Sequence, residues 1–267
     1  MNQTSPPSSP VPGLTVCYTC MDSMRSLPAS LASTKDLAER VLVVDSGSTD
    51  GTIEYCREHA VEVVHRDWTN MADQRQFAMR SCGDAAWVLS LDSDENLDDD
   101  LRDSIRRTLR DVDDSVDGFR MRRMTYLDGK LLRHTFQPEW RLRLVRGGAF
   151  RVEGDAVGGH DRIVVDGEIR SLEGVLLHDS WTGAQDMLAR GVRYGFRASK
   201  VSRNGGTRLN LLINPASAFF KQLVLRRGFL DGWRGWVAAG GVASQALAKH
   251  LAIMERRELE REDRRSS

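Results

Sequence analysis

The stretch WVLSLDSDE, residues 87–95, joins a strand-like apolar run to a cluster of acids. The run Trp87 to Leu91 is almost entirely apolar, which is typical of a strand buried in a sheet. It then ends in Asp92, Asp94 and Glu95, and three more acids follow at positions 98–100. Carboxylates held close together repel one another, so this arrangement indicates that a cation binds where the strand ends.

The same strand belongs to a repeating pattern. Residues 41–44 are a short apolar run, the turn-rich segment DSGSTDG follows, and TIEYCREHA then has the apolar spacing of a helix. Over residues 1–115 strand-like and helix-like segments alternate in this way, which predicts an α/β fold of Rossmann-like type: a mostly parallel sheet with helices on both faces. Ligands of such sheets bind beyond the carboxyl ends of the strands, where the loops at Asp45 and Asp92 are expected to lie.

The pattern changes after Asp117. FRMRRMTYLDG, RLRLV and GVLLH are shorter segments with alternating side chains, which predict a small antiparallel extension of the sheet. From about Gln185 the pattern is helical again and becomes basic and aromatic. We therefore expect a flexible leader at 1–13, an α/β domain at 14–189 and a basic, aromatic-rich helical region at 190–267.

Charge is distributed unevenly. The 267 residues include 38 Lys and Arg and 38 Asp and Glu, so the formal net charge is zero. Residues 190–249 nevertheless contain about 11 basic residues and a single acid, Asp231, which leaves the rest of the chain about ten charges negative. The two parts are expected to meet different partners.

The targeting signals that we considered are not evident in the sequence. The opening segment MNQTSPPSSPVPG lacks the basic and apolar regions of a secretory signal, and the most apolar window, residues 236–254, is interrupted by polar residues. Cys17 and Cys20 form a CxxC without a second pair, so buried thiols are a simpler interpretation than a metal or redox site. These features predict a cytoplasmic location.

The loop DSGSTDG has residues that can bind a nucleotide. Asp45 at a strand end can accept hydrogen bonds from a base or ribose, while Ser46 and the glycines allow the backbone to approach a ligand closely. We take Asp45, Ser46 and Asp50 of this loop as candidate donor-binding residues. The alternative is an ordinary capped turn, because Ser48, Thr49 and Asp50 can also cap the next helix. The loop is neither GxGxxG nor GxxxxGK[ST], which argues against hydride carriers and ATP-hydrolysing folds.

The segment LDSDE is suited to a hard divalent ion. Asp92 and Asp94, one residue apart on an extended turn, can both reach Mg²⁺ or Mn²⁺, which prefers oxygen ligands and often takes others from a diphosphate. For the acids at positions 98–100 we favour the alternative of an acidic helix start. His178 closes the apolar run GVLLH and would stand at a strand end, where it can join the metal as a late ligand.

Seven segments resemble a known family in order and spacing; they are VLVVDSGSTDGT, DWTNMADQRQFAM, WVLSLDSDE, EWRLRLVR, GGHDR, LLHDSW and RRGFLDGWRGW. The resemblance is to glycosyltransferase family 2, within it to the lipopolysaccharide core β-1,4-glucosyltransferase-like branch, and runs from about Leu14 to about Glu255. It implies a GT-A fold, with residues 14–189 as the catalytic domain. It also implies transfer of a sugar from a nucleotide diphosphate donor with inversion at the anomeric carbon.

The resemblance also implies site residues. Asp45 would face the donor's base, Thr19 would line the same pocket, and Gln74 and Arg75 would hold the nucleotide and its phosphates. The implied metal ligands are Asp92, Asp94 and His178, and the implied catalytic base is Asp161, in place of the glutamate of the branch's HE element. The first strand departs from the family's Thr-Tyr-Asn-Glu, because Cys20, Met21 and Asp22 follow Thr19. The usual aromatic is therefore missing, and Gln76 also replaces the usual asparagine.

The expected transfer reaction gives the charged residues of this site separate roles. A divalent ion would neutralise the departing diphosphate, and Arg75, with Arg141 as a second candidate, would add charge-assisted hydrogen bonds. A carboxylate must take the proton of the attacking acceptor hydroxyl. Asp161 is our candidate for this base, and the alternatives are Glu139, Glu153 and Asp155.

The basic segment FFKQLVLRRGFLDGWRGWV interleaves aromatic and basic side chains, which suits a surface helix at an anionic membrane. The alternative is a helix packed on the catalytic domain with a solvated basic face; the segment has no recognisable nucleic-acid-binding module.

We expect a metal-dependent glycosyltransferase that acts on a glycan or lipid-linked acceptor, on the cytoplasmic side and in peripheral contact with the membrane. The alternatives are a nucleotidyltransferase, which would need a basic Gly-rich loop after the first strand, and a catalytically silent sugar-nucleotide or glycan-binding module.

Overall fold

The computed structural model describes residues 9–154, 161–202 and 204–266. Contacts between these residues divide them into two compact units. The first comprises residues 9–123, 139–154 and 161–179, and the second comprises 124–138, 180–202 and 204–266. The expected boundary between residues 189 and 190 falls inside a helix of the second unit, which also includes the segment 124–138.

Strands and helices alternate in the first part of the chain. The strands are β1 (Val11–Cys20), β2 (Ala38–Asp45), β3 (Glu62–His65), β4 (Trp87–Asp92), β5 (Glu95–Leu97), β6 (Val116–Leu127), β7 (Lys130–Leu131), β8 (Trp140–Arg146), β9 (Arg151–Gly154), β10 (Asp161–Val164) and β11 (Glu168–His178). The helices are α1 (Leu27–Thr34), α2 (Thr52–Glu58), α3 (Met71–Arg80) and α4 (Asp99–Thr108). Residues 11–13 of the expected leader belong to β1, and residues 1–8 lie outside the described residues.

The main sheet has a parallel part and an antiparallel part. Its strand order is β3-β2-β1-β4-β8-β6-β11-β5, with β7 paired to the end of β6. The pairs β3–β2, β2–β1 and β1–β4 are parallel, whereas β4–β8, β8–β6 and β11–β5 are antiparallel. The antiparallel extension therefore has about as many strands as the parallel part, and β9 and β10 form a separate antiparallel pair.

Helices cover both faces of this sheet, because successive side chains of a strand point to opposite faces. Val16, Tyr18 and Val43 share one core cluster with the apolar side chains of α1, α2 and α4. Their neighbours Cys17 and Leu42 belong to a second cluster, which they form with α3. Fully apolar strands such as LVV in β2 are thus explained by burial on both sides.

Side chains cap two of the helices that flank the sheet. The carboxylate of Asp98 accepts the amide hydrogen of Leu101 at 2.8 Å and caps α4, whose first turn contains Asp99 and Asp100. The interpretation of this acidic run as a helix N-terminus is therefore confirmed. Asn70 caps α3 in the same way, by accepting the amide hydrogen of Asp73 at 3.0 Å.

The second unit consists mainly of helices, which are α5 (Ala184–Val201), α6 (Arg208–Phe220), a π-helical turn (Lys221–Leu225), a 3-10 turn (Gly228–Asp231) and α7 (Trp233–Ser266). Asp231, the single acid of the basic segment, accepts hydrogen bonds from the backbone amides of residues 133–135 and from the hydroxyl of Thr135, all at 2.8–3.1 Å. Arg234 donates to the backbone of Leu127 and to Asp128. The motif GFLDGWR therefore holds the segment 124–138 against the helices, which explains why this segment belongs to the second unit. Among the described helices, none combines the length and the apolar character that crossing a bilayer requires.

Candidate active site

Three strands of the first unit end side by side in polar residues. In the register of the sheet Thr19 of β1 is paired with Asp92 of β4, and Cys20 is paired with Asp45 of β2. The carboxyl ends of parallel strands lie at one edge, so the acids of two distant loops are brought together there. Strand β8 runs antiparallel to β4, and its later residue Leu144 is paired with Leu89, which precedes the end of β4. The first residues of β8 therefore lie at this edge.

The loops after β1 and β2 are joined by hydrogen bonds. The backbone amides of Asp22 and Met24 donate to the side chains of Ser48 and Asp50, each at 2.8 Å, and the amide of Thr49 donates to Asp22 at 2.8 Å. The other oxygen of Asp50 accepts from the amide and the hydroxyl of Thr52, at the start of α2. Both carboxylate oxygens of Asp50, a candidate donor-binding residue, are thus engaged within the loops.

Asp45 is fully buried and makes contacts with its own loop. Its Oδ2 accepts the amide hydrogens of Gly47 at 2.8 Å and Ser48 at 3.0 Å, while Oδ1 accepts from the hydroxyl of Ser48 and the thiol of Cys20. Burial alone would raise the pKa of Asp45, but these hydrogen bonds outweigh it and hold the pKa below its usual range. With Gly47 at a positive φ of 98°, both amides point at the carboxylate. The structure does not bring Asp45 into an exposed position facing a base.

Gln74 on α3 is also fully buried. Its amide nitrogen donates to the hydroxyl of Ser46 at 2.8 Å and to the carbonyl of Arg66 at 3.2 Å. Its carbonyl oxygen Oε1 has no hydrogen-bond partner within the described residues. A buried acceptor without a partner is costly in a folded chain, so this oxygen is a candidate for contact with a ligand. Two candidate donor-binding residues, Ser46 and Gln74, are thus in direct contact.

Arg75, the neighbour of Gln74, points into the protein and is only 1% exposed. It donates through Nε to Asp161, through Nη1 to the hydroxyl of Ser90 at 3.1 Å and through Nη2 to Oδ1 of Asp92 at 2.6 Å. The expectation that Arg75 holds the donor's phosphates does not fit this placement, because its guanidinium is covered and already engaged by protein acceptors. Arg75 instead joins Asp161 to Asp92.

Asp92 is held by two arginines. Its Oδ2 accepts from Nη2 of Arg143 at 2.6 Å, and Arg75 holds its Oδ1. Burial would raise the pKa of Asp92, but Arg143 and Arg75 outweigh this effect and hold the pKa far below the usual range. Both oxygens of Asp92 are therefore in ion pairs, which is a poor arrangement for a direct metal ligand.

Arg143 continues the chain of charges. It donates to both oxygens of the fully buried Glu95, and Arg123 donates to Glu95 at 3.2 Å. Arg123 and Arg141 then share Oε1 of Glu139, at 2.6 Å and 2.7 Å. Acids and arginines thus alternate in the order Asp161, Arg75, Asp92, Arg143, Glu95, Arg123, Glu139 and Arg141. We call these eight residues the charge chain; its formal charges cancel.

Asp94 and His178 form a separate pair beside the charge chain. Oδ2 of Asp94 lies 3.5 Å from Nε2 of His178, and the amide of Asp179 donates to the carbonyl of Asp94 at 2.9 Å. Burial would raise the pKa of Asp94, but the charge of His178 and its hydrogen bond hold it below the usual range. Within the described residues no group of three or more His, Cys, Asp and Glu is placed to hold a metal ion. Of the three expected ligands, Asp94 and His178 therefore lie together, whereas both oxygens of Asp92 are paired with arginines.

The candidate base Asp161 begins β10 and is one end of the charge chain, with 12% of its side chain exposed. The preceding residues of its motif, 158–160, and the alternative base Asp155 lie outside the described residues. Glu153 pairs with Arg151 and Arg162 on β9 and β10. Glu139, the remaining alternative, is already shared by two arginines.

Sequence reasoning did not single out Arg123 and Arg143, and it named Glu95 only as one of the acids at the strand end. A signal was present in EWRLRLVR, where Arg141 and Arg143 are two residues apart and therefore point to the same face of a strand. Arginines on a face that also meets the end of an acidic strand are suited to pairing with it. The pairing partner could not be read from the sequence, because it depends on which strand lies beside β4.

Comparison with known proteins identifies the family. A family model described as glycosyl transferase family 2 matches residues 14–159, more than half of the chain. The lipopolysaccharide core biosynthesis glycosyltransferase LpsC of Rhizobium meliloti (strain 1021) is 28% identical over 252 residues, which cover 86% of this chain and 90% of that protein. This match extends over both units of the structure.

Solved structures are less similar. S. aureus TarS has a TM-score of 0.43 and 13% identity; the alignment covers 88% of this chain and 54%, about half, of the TarS chain. A glucosyl-3-phosphoglycerate synthase from Mycobacterium tuberculosis, solved with Mn²⁺, UDP and glucosyl-3-phosphoglycerate, has a TM-score of 0.32 and 13% identity over 42% of this chain and 44% of that one. Because both TM-scores are below 0.5, the assignment rests on the sequence matches and on the strand order above, which together confirm the expected GT-A fold. The chain is therefore a glycosyltransferase and belongs to glycosyl transferase family 2.

Proposed function

We propose that this enzyme transfers a sugar, with inversion, from a nucleotide diphosphate donor to a hydroxyl of a glycan or glycolipid acceptor. The similarity to LpsC supports an acceptor in lipopolysaccharide or another cell-envelope polysaccharide. The enzyme would act on the cytoplasmic side of the membrane, with Mn²⁺ or Mg²⁺ as its cofactor. The observation that carries the proposal is the Asp94–His178 pair, at 3.5 Å, placed beside a charge chain in which the neighbouring acid Asp92 is fully paired.

The Asp94–His178 pair fits a divalent ion. A carboxylate oxygen and an imidazole nitrogen are both ordinary ligands of Mn²⁺, and such ions commonly complete their coordination with water and substrate phosphates. The lowered pKa of Asp94 keeps this carboxylate ionised at neutral pH. When bound, the ion would supply positive charge to the leaving diphosphate. Asp92 would act on the site indirectly, by holding Arg75 and Arg143 in place.

Among the arginines of the charge chain, Arg141 is the candidate for contact with the diphosphate. Its side chain is 40% exposed, whereas Arg75 and Arg143 are covered. Its Nε is buried and has no hydrogen-bond partner in the part of the chain that the structure describes. A guanidinium with unused donors can make charge-assisted hydrogen bonds to phosphate oxygens.

The nucleotide would bind at the ends of β1 and β2. Thr19 lies near the end of β1, and Ser46 directly follows β2. Beside Ser46, the Oε1 of Gln74 that has no partner among the described residues can accept a hydrogen bond from a base or ribose. Asp45 and Asp50 would contribute by fixing the loops, since their oxygens are engaged within these loops. This assignment replaces a direct contact between Asp45 and the base.

Asp161 stays our candidate for the base that takes the proton of the acceptor hydroxyl. Its Oδ2 is held by Arg75, which would fix the direction of the carboxylate. Replacing Asp161 by asparagine should reduce transfer by about a hundred to ten thousand fold, the usual contribution of general base catalysis. Donor binding, measured as a thermal shift, should persist. A variant that retains transfer and the pH profile of the wild type would show that another group is the base.

A donor screen tests the whole proposal. Release of nucleoside diphosphate would be measured for a panel of nucleotide sugars with Mn²⁺, with Mg²⁺ and with a chelator. We expect metal-dependent turnover of one donor, its loss in Asp94→Ala and its retention in the control Asp99→Ala, which removes a carboxylate that is 98% exposed on α4. NMR of the transferred sugar would show whether the anomeric configuration inverts. Absence of metal-dependent turnover with every donor would favour the silent binding module instead.

A further inference from the structure

An unusual number of large apolar side chains is exposed in the second unit. Helix α6 has no buried residue at all, and exposed apolar residues continue through the π-helical and 3-10 turns to the start of α7. The ten large apolar residues concerned are Leu209, Leu212, Ile213, Phe220, Val224, Leu225, Phe229, Leu230, Trp233 and Trp236. We call them the apolar surface. Large apolar side chains that are exposed close together in this way mark an interaction site.

The apolar surface has a regular geometry in α6. Counted from Leu209, the exposed residues Leu212, Ile213 and Phe220 lie three, four and eleven positions further along the chain. This spacing places all four on one face of the helix. Leu212 is 73% exposed and Leu225, in the π-helical turn, is 68% exposed. The start of α7 joins this region through the ring of Trp236, whose centroid lies 5.9 Å from that of Phe219.

The charged side chains of residues 208–230 are all basic. Arg208, Lys221, Arg226 and Arg227 lie within the same segment, and within the described residues these four form no ion pair. The single acid of residues 190–249, Asp231, has its oxygens engaged by the turn at residues 133–135. The surface therefore combines exposed leucine and tryptophan with unpaired positive charge.

We propose that this surface docks the enzyme in the plane of a bilayer that contains anionic lipids. Apolar side chains would enter the headgroup layer, and the four cations would meet lipid phosphates or carboxylates. Tryptophan is suited to this boundary, because its ring is apolar and its N–H remains able to donate a hydrogen bond. The inference is independent of the sugar chemistry proposed above, since it rests on surface residues of the second unit alone.

Two other arrangements fit the surface less well. Helix α6 has 13 residues, or about 20 Å, and is shorter than the roughly 30 Å of a bilayer's hydrocarbon core, so it would lie along the membrane and not across it. A second copy of this chain could cover the apolar residues, but a two-fold contact would bring the same four cations together without acids to balance them.

Sedimentation with vesicles tests the proposal on the full chain. We expect binding to phosphatidylcholine vesicles that contain phosphatidylglycerol, weaker binding to vesicles of phosphatidylcholine alone, and a decrease as salt is raised. Replacing Leu212 by glutamate should weaken binding by about tenfold or more, the factor that corresponds to losing the burial of one leucine. Lys221→Gln should weaken binding to anionic vesicles by about fivefold and leave binding to neutral vesicles unchanged.

Leu259→Glu is the matched control. Leu259 is 56% exposed on α7, so the same change of chemistry is made outside the apolar surface, and vesicle binding should stay at the wild-type level. Both leucines are exposed, so the variants are expected to fold, which circular dichroism would check. Equal binding of Leu212→Glu and wild type would overturn the proposal. The proposal would also be overturned if the wild-type protein does not bind vesicles but forms a dimer, and if Leu212→Glu dissociates that dimer. Such a result would identify the surface as a contact between copies of the chain.

Discussion

Replacing Asp92 by asparagine should destabilise the protein more than a change in a strand-end residue normally does. The substitution preserves the size of the side chain and removes its charge. In the folded chain Oδ1 and Oδ2 of Asp92 pair with Arg75 and Arg143, each at 2.6 Å. Neither arginine can turn to solvent, because their side chains are 1% and 7% exposed.

The expected magnitude follows from this burial. Removing one partner of a buried ion pair typically costs about 3 to 5 kcal/mol. Two features place Asp92→Asn near the lower end: the Asp92 side chain is 25% exposed, and each arginine keeps another carboxylate, Asp161 or Glu95. We therefore expect the free energy of unfolding to fall by about 3 kcal/mol at neutral pH.

The pH dependence provides a second test. The arginines hold the pKa of Asp92 far below its usual range, so this carboxylate binds protons more weakly in the folded state than in the unfolded state. Its contribution to stability is therefore complete above the unfolded pKa of about 4 and is lost as the pH falls towards the folded pKa. The difference in stability between wild type and Asp92→Asn should be constant from about pH 5 to 8 and should shrink below about pH 4.

Urea titrations monitored by tryptophan fluorescence at several pH values would measure both quantities. Asp114→Asn is the control, because that side chain is fully exposed and lies 3.9 Å from Arg146, and the unfolding midpoint should not change. If Asp92→Asn is as stable as wild type at pH 7, or if the difference does not diminish in acid, the charge chain does not contribute as its geometry implies.

Three further outcomes are expected. Asp94→Asn should abolish the thermal shift caused by Mn²⁺ but change the free energy of unfolding by about 1 kcal/mol or less, because the ion-pair partner of Asp94 among the described residues is His178, at 3.5 Å; a retained shift would place the ion elsewhere. Asp231→Ala should cost about 2 to 4 kcal/mol, measured by urea titration, and speed amide exchange at residues 133–135, since it removes their common acceptor; unchanged exchange would contradict this role. Burial raises the pKa of Cys56 to about 11, so the native enzyme should react slowly with a disulfide reagent at pH 8 and rapidly once unfolded; fast reaction of the folded chain would contradict the buried placement.

Most of the parallel half of the fold could be predicted from the sequence, because its signals are local. The apolar run at residues 87–91, the acids that follow it and the helix cap at Asp98 each depend on neighbours in the chain. The placement of Asp45 and Asp92 at one sheet edge also follows from a general property of parallel strands. These features required no knowledge of distant contacts.

The partners of those acids could not be predicted, because they depend on long-range pairing. Arg143 reaches Asp92 only because β8 runs antiparallel beside β4, and a shift of register by one residue would turn Arg143 to the other face. The acidic motif alone suggested repulsion relieved by a metal. In the fold, arginines supply most of that neutralisation, and the burial of Arg75 could not be inferred from its position beside Gln74.

The hydrogen bonds that join the loops after β1 and β2 have a consequence for ligand binding. A flexible loop that closes on a nucleotide loses conformational freedom, and that loss opposes association. Here Asp22 and Asp50 have already fixed both loops in the free protein. Calorimetry of donor binding should accordingly show a small entropic penalty, and the amides of Met24 and Thr49 should resist deuterium exchange before any nucleotide is added.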